Sequence, residues 1–188
     1  MNIALTDTPS VFPWNNWYHC TGNTYGTWIP GDHRGWRSRR HRVHVQGDYK
    51  SPPPTGEHDK LHEQSKRSMK RNPVYLDPVA QRIACDAIVD KLVEKDIEIA
   101  ACSVDDHHFH VIGRFDDRRP RHWIGLAKKN SAWAVRSAGL TGQGGIWAVR
   151  GQCKPITDEA HFRAAVTYVL GHGRRGAAVR RGQPSLNP

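Results

Sequence analysis

The stretch Asp105-Asp106-His107-His108-Phe109-His110-Val111-Ile112-Gly113-Arg114-Phe115 narrows most what this chain can fold into. After a turn-forming pair of aspartates, side chains alternate with the period of two that a strand imposes. Phe109, Val111 and Phe115 then share one face, which suits cover by a helix. His108, His110, Ile112 and Arg114 share the other. Two imidazoles two residues apart on one face are close enough to chelate a single metal ion, and Arg114 on that side can meet a phosphate. The competing reading is an exposed hairpin with incidental histidines, since the chain contains 12 of them. His107 falls in the turn or on the apolar side and reads as structural.

The surrounding pattern supplies a sheet for this strand. Residues 17–24, rich in aromatic side chains and threonine, predict an opening strand. Asp77 suits a helix N-cap and Pro78 the first helical position, with Val79, Ile83, Ala87, Ile88 and Leu92 at helical spacing as far as residue 95. A strand is predicted over 97–104, a helix over 121–137 and a short strand over 146–150. A last helix, capped by Thr157-Asp158, carries Phe162, Val166 and Val169 and ends at Gly171 or Gly173. The expected fold is α+β, a ferredoxin-like split βαβ antiparallel sheet with helices on one face and a further C-terminal helix. One domain spans 17–173, with a basic insertion at 26–73 that holds helical patches such as 60–70. Residues 174–188 read as a basic, flexible tail.

In that last helix Tyr168 and His172 are four residues apart and lie on one face. Were the helix to cover the open sheet face, Tyr168 would present its hydroxyl to a metal-bound phosphate, and His172 would complete the metal shell. A phenol is a poor nucleophile at neutral pH, so this chemistry requires the ion and the tyrosine side by side. By itself Tyr168 reads more readily as an amphipathic tyrosine at a helix edge, the commoner fate of a single tyrosine.

Together, His108-Phe109-His110 on a central strand, Tyr168 with a polar residue four positions later, and the strand-helix order resemble the HUH single-tyrosine transposases, the IS200-like and REP-associated group. The resemblance spans residues 17–173. It implies that His108, His110 and His172 bind a divalent metal and that Tyr168 attacks a DNA phosphate, leaving a 5′-phosphotyrosine link and a free 3′-hydroxyl. It also implies single-stranded DNA with hairpin ends as substrate, and a homodimer is compatible with it. The group often has Gln or Asn where His172 stands. Three imidazoles are softer than Mg²⁺ prefers, so Mn²⁺ and Zn²⁺ stand beside Mg²⁺ as expected cofactors. A non-catalytic single-stranded nucleic-acid-binding module on the same topology is a second reading, and a relaxase or replication-initiator nickase a third.

A formal net charge of +10 favours a polyanionic partner. Arg34, Trp36, Arg37, Arg39, Arg40 and Arg42 form the densest basic run, in which arginines grip phosphate and Trp36 stacks on an unpaired base. Arg174 and Arg175 are expected to bind DNA as well. Tyr25 to Asp32 reads as an ordered turn without chemistry. Cys20, Cys85, Cys102 and Cys153 are widely spaced with no C-x-x-C pair, so they read as reduced, partly buried thiols. No run is apolar enough to span a bilayer and no leader pattern opens the chain, which predicts a cytoplasmic protein.

Overall fold

The computed structural model describes residues 13–37, 44–45, 51–142 and 144–182, and Arg37, His44 and Arg150 by backbone alone. The elements, in chain order, are β1 (Trp17–Thr24), β2 (Trp36–Arg37), β3 (His44–Val45), α1 (Asp59–Arg67), α2 (Pro78–Val93), β4 (Glu98–Val104), β5 (His108–Arg114), α3 (Pro120–Ser137), β6 (Trp147–Pro155), α4 (Glu159–Gly171) and β7 (Ala178–Arg181). Strands β6, β1, β5, β4 and β7 form one sheet in that order, and every neighbouring pair is antiparallel. Removing β7 leaves the split βαβ order, so the expected α+β architecture is present.

The caps read from the sequence are made. Asp77 accepts from the backbone N–H of Val79 and Ala80 at 2.9 and 2.8 Å, and Pro78 opens α2. Asp158 accepts from the N–H of His161 at 2.8 Å and starts α4.

Alternation along β5 separates two apolar clusters. Phe109, Val111 and Phe115 join Cys20, Ile88, Leu92, Ile124 and Val135 in the layer beneath α2 and α3. On the other face Ile112 packs with Trp17, Ala100, Ala101 and Ile156, and here α4 adds Phe162, Ala165 and Val169. Three small side chains in this second cluster, Ala100, Ala101 and Ala165, let the helix approach the sheet closely. The face expected to be free is therefore half covered, and α4 is the cover.

Two expectations are corrected. The segment after Gly173 is ordered through residue 182: a 3-10 turn (His172–Arg175) leads into β7, which pairs with β4 from Val104↔Ala178 to Ala101↔Arg181. Its glycines serve that turn, where Gly176 adopts φ 89°. Strand β6 runs nine residues rather than five. Its second half, Arg-Gly-Gln-Cys-Lys-Pro, lacks alternation because it is a sheet edge. The inserted region contains α1 and a small β2–β3 ladder, and Arg39, Arg40 and Arg42 lie outside the described residues.

Gly22 sets how β1 lies on β5. It stands opposite Phe109, and a Cβ there would sit 2.6 Å from Phe109 Cε1. Gly22→Ala must displace a fully buried ring, and is expected to cost about 1–3 kcal/mol, read as a lower urea midpoint at unchanged slope.

Candidate metal and tyrosine site

Strand β5 and helix α4 bring the predicted residues together. One ring nitrogen from each of His108, His110 and His172 lies within 4.8 Å of the other two. Two nitrogens bound at ~2.1 Å to a common ion stand at most ~4.2 Å apart, so closing on an ion takes only small side-chain movement. Gly171 and Gly173 do not unwind the chain before His172. The helix tightens into the 3-10 turn there, and His172 keeps φ −61° and ψ −28°, which holds it on the same face as Tyr168. The Tyr168 ring lies edge-on to both His172 and His110, with centroids 4.9 and 5.4 Å apart, and 52% of the residue is exposed.

The hydrogen bonding around the imidazoles points the same way. His110 Nε2 and His172 Nε2 are buried with no hydrogen-bond partner, an arrangement that costs stability unless something else fills their lone pairs. His110 Nδ1 lies 2.9 Å from His19 Nε2, and Asp105 Oδ2 lies 2.7 Å from His108 Nδ1. Asp105 Oδ1 also accepts the backbone N–H of His107 and of His108 at 2.9 and 2.7 Å, which ties the hairpin turn to the carboxylate. A carboxylate behind one imidazole and a second imidazole behind another is the outer arrangement that orients metal-binding histidines. The donor set thus fits a divalent ion.

Burial keeps His110, His172 and His19 neutral, the state that ligation requires of an imidazole. It lowers His110 to about 2, helped by the charges of His108, His19 and His172. It lowers His172 to about 4, with Arg175 and His108 adding to the effect. His19 falls to about 4 through burial and the neighbouring His161, Lys154 and His172. For Asp105, burial raises the carboxyl, but the hydrogen bond and charge of His108 and the two backbone amides outweigh it, leaving it at about 2.

His19 and Asp105 were not singled out from the sequence. Alternation places His19 on the site face of β1, a signal that was available. The bond from Asp105 to His108 has no sequence mark beyond the Asp-Asp turn. His107 pairs with Asp106 at 2.5 Å and its carbonyl accepts from Thr24 and Thr27, which is the structural role expected of it.

The arginines divide. Arg174 and Arg175 are exposed in the turn that follows His172. Arg114 shares the face of His110 but lies four residues further along the strand, between Glu98 at 3.6 Å and Asp116 at 3.2 Å. Arg34 grips both oxygens of Asp32 at 2.8 and 2.7 Å, donates to the Thr27 carbonyl and stacks over Trp28. It knits the turn. Trp36 is half-buried edge-on to His58, with centroids 5.6 Å apart.

The sign of the pH dependence follows from these shifts. Folded His110, His172 and His19 refuse protons that the unfolded chain takes up near pH 6.5. Stability of the metal-free protein is therefore full above that pH and falls as pH drops toward about 4. Asp105 adds a further loss below its ordinary 3.8. Urea unfolding across this range checks it, and His110→Asn is expected to flatten the slope.

No family model matches the chain, and no curated protein matches it in sequence. A solved structure of a REP-associated tyrosine transposase bound to a REP hairpin is similar to it, with 17% sequence identity and a TM-score of 0.41 over 88% of this chain and 72% of that one.

Proposed function

We propose that this chain is a metal-dependent enzyme that nicks and rejoins single-stranded DNA through Tyr168, in the manner of the single-tyrosine HUH transposases. The observation that carries the reading is the convergence of three imidazoles, from β5 and the turn that ends α4, with the edge of the Tyr168 ring. His108, His110 and His172 would hold a divalent ion, with Mg²⁺, Mn²⁺ and Zn²⁺ as the candidates. An ion there would supply polarisation of the scissile phosphate and stabilisation of negative charge on the leaving oxygen.

Tyr168 Oη attacks the phosphorus, the bond from phosphorus to the 3′-oxygen breaks, and a 5′-phosphotyrosine ester forms. The 3′-oxygen leaves as a hydroxyl, so the proton lost by the phenol is balanced. One phosphodiester is exchanged for another, and the reverse attack rejoins DNA without a nucleotide cofactor. Asp105 and His19 act as positioning residues by fixing the rings of His108 and His110. The Tyr168 ring lies beside the imidazoles of its own chain. Arg174 and Arg175 contact the DNA backbone beside the site, and Arg37, Arg39, Arg40 and Arg42 are further DNA-contact candidates on their charge alone. Hairpin-bearing ends are the proposed substrate. Among the described residues no helix is long and apolar enough to cross a membrane.

Incubating the protein with single-stranded hairpin oligonucleotides and Mn²⁺ or Mg²⁺ is expected to give a covalent protein–DNA band on a denaturing gel. Tyr168→Phe should lower that yield by ~10³-fold or more while leaving hairpin binding nearly intact. A band that survives in this variant assigns the nucleophile elsewhere, and binding without cleavage under every divalent ion favours the non-catalytic module. Replacing Arg174 and Arg175 with alanine is expected to weaken binding across sequences and reduce the slope of log affinity against log salt by about 1 per arginine.

A further inference from the structure

Although no two cysteines are close in sequence, the fold gathers all four into two pairs. Cys85 and Cys102 meet beneath α2 with Sγ atoms 3.7 Å apart, and both are completely buried. Cys20 on β1 and Cys153 on β6 are directly opposed in the antiparallel register. Opposed residues in such a ladder have Cα atoms about 4.5–5.5 Å apart, within the range that a disulfide spans without backbone movement. Both lie on the face packed against α2 and α3, away from the imidazoles.

The two members of this second pair differ. Cys20 is fully buried, whereas Cys153, on the edge strand, is only partly buried. Helix α3 adds positive charge here. Arg121 and Lys128 are two turns apart on one helix face, and Lys128 Nζ is anchored 2.6 Å from the Ala148 carbonyl of β6. Interaction with the Cys20 thiol favours the Cys153 thiolate, as do the Arg121 and Lys128 charges, while burial holds Cys20 protonated. A reachable thiolate backed by a buried thiol is the arrangement of an attacking and a resolving cysteine.

We propose that Cys20 and Cys153 form a thiol oxidation site, at which a hydroperoxide converts the pair to a disulfide joining β1 to β6. The Cys153 thiolate attacks the terminal peroxide oxygen. The O–O bond breaks, the peroxide is reduced, and Cys153 becomes a sulfenic acid. The Cys20 sulfur then attacks the Cys153 sulfur and expels hydroxide, which leaves as water with the Cys20 proton. With hydrogen peroxide the sum is two thiols and one peroxide giving one disulfide and two waters. The opposed register already exists, so the bond forms within the folded sheet.

The test treats the full, folded chain with small equivalents of hydrogen peroxide, blocks remaining thiols with N-ethylmaleimide and measures intact mass and peptides. The expected product has lost two hydrogens, carries a Cys20–Cys153 cross-linked peptide, and alkylates Cys85 and Cys102 only after denaturation. Cys153→Ser should abolish the cross-link, and Cys20→Ser should leave a sulfenic acid on Cys153 that dimedone traps. Cys85→Ser, the control at the buried pair, should still form the link. A cross-link between Cys85 and Cys102, added oxygen without loss of hydrogen in the unsubstituted chain, or thiols that stay reduced while added glutathione is oxidised would each overturn the proposal.

Discussion

The packing of α4 on the sheet is the contact on which the site depends. Only that contact brings His172 and Tyr168 to the imidazoles of β5, and it is made by apolar groups: Phe162, Ala165 and Val169 against Trp17, Ala101 and Ile112. Each large side chain buried there contributes about 1.5–3 kcal/mol. An unpartnered imidazole nitrogen costs about 1–3 kcal/mol, and two are present. The apolar contact outweighs that cost, so the site is assembled by packing before any ion arrives, and the unmet lone pairs remain available to one.

The same division explains what was legible in the sequence. Period-two alternation from His108 to Phe115 fixed which side chains lie on which face, because β5 is central and both of its faces are buried. Capping chemistry at Asp77 and Asp158 located two helices, since a side chain bonding to the next turn is a local event. Helical spacing put Tyr168 and His172 together for the same reason. What stayed hidden was non-local or unpatterned. Strand β7 is four residues, Ala-Val-Arg-Arg, at a sheet edge where nothing demands alternation. The cysteine pair of β1 and β6 depends on register between segments more than a hundred residues apart, and the His19–His110 bond on the same kind of pairing.

The basic residues teach a related lesson about charge. Density along the chain suggested a DNA grip at 34–42, yet Arg34 is spent on Asp32, two residues earlier, and on holding its own turn. Arg114 and Arg180 sit in ion pairs as well, the second with Asp86 at 2.6 Å. A run of arginines therefore says less about a binding surface than where the fold puts each one relative to a carboxylate. Arg174 and Arg175 gain their interest from position: the turn that follows His172 delivers both to the rim of the site, where Arg175 already depresses the His172 pKa.

The charge balance of the proposed metal site bears on what it would select. Three imidazoles supply no negative charge, and Asp105 is directed to His108 Nδ1, so it would stand behind the ligand rather than on the ion. A divalent ion held this way would keep most of its charge. Sites that ligate through carboxylates neutralise their ion and must then bind a phosphate against the negative charge of their own side chains. Here the phosphodiester itself would be the first anion to reach the metal, so the protein leaves to the substrate the negative charge that it withholds. The half-exposed ring of Tyr168 lies at the edge of that position, where an arriving phosphate would meet the phenol and the ion together.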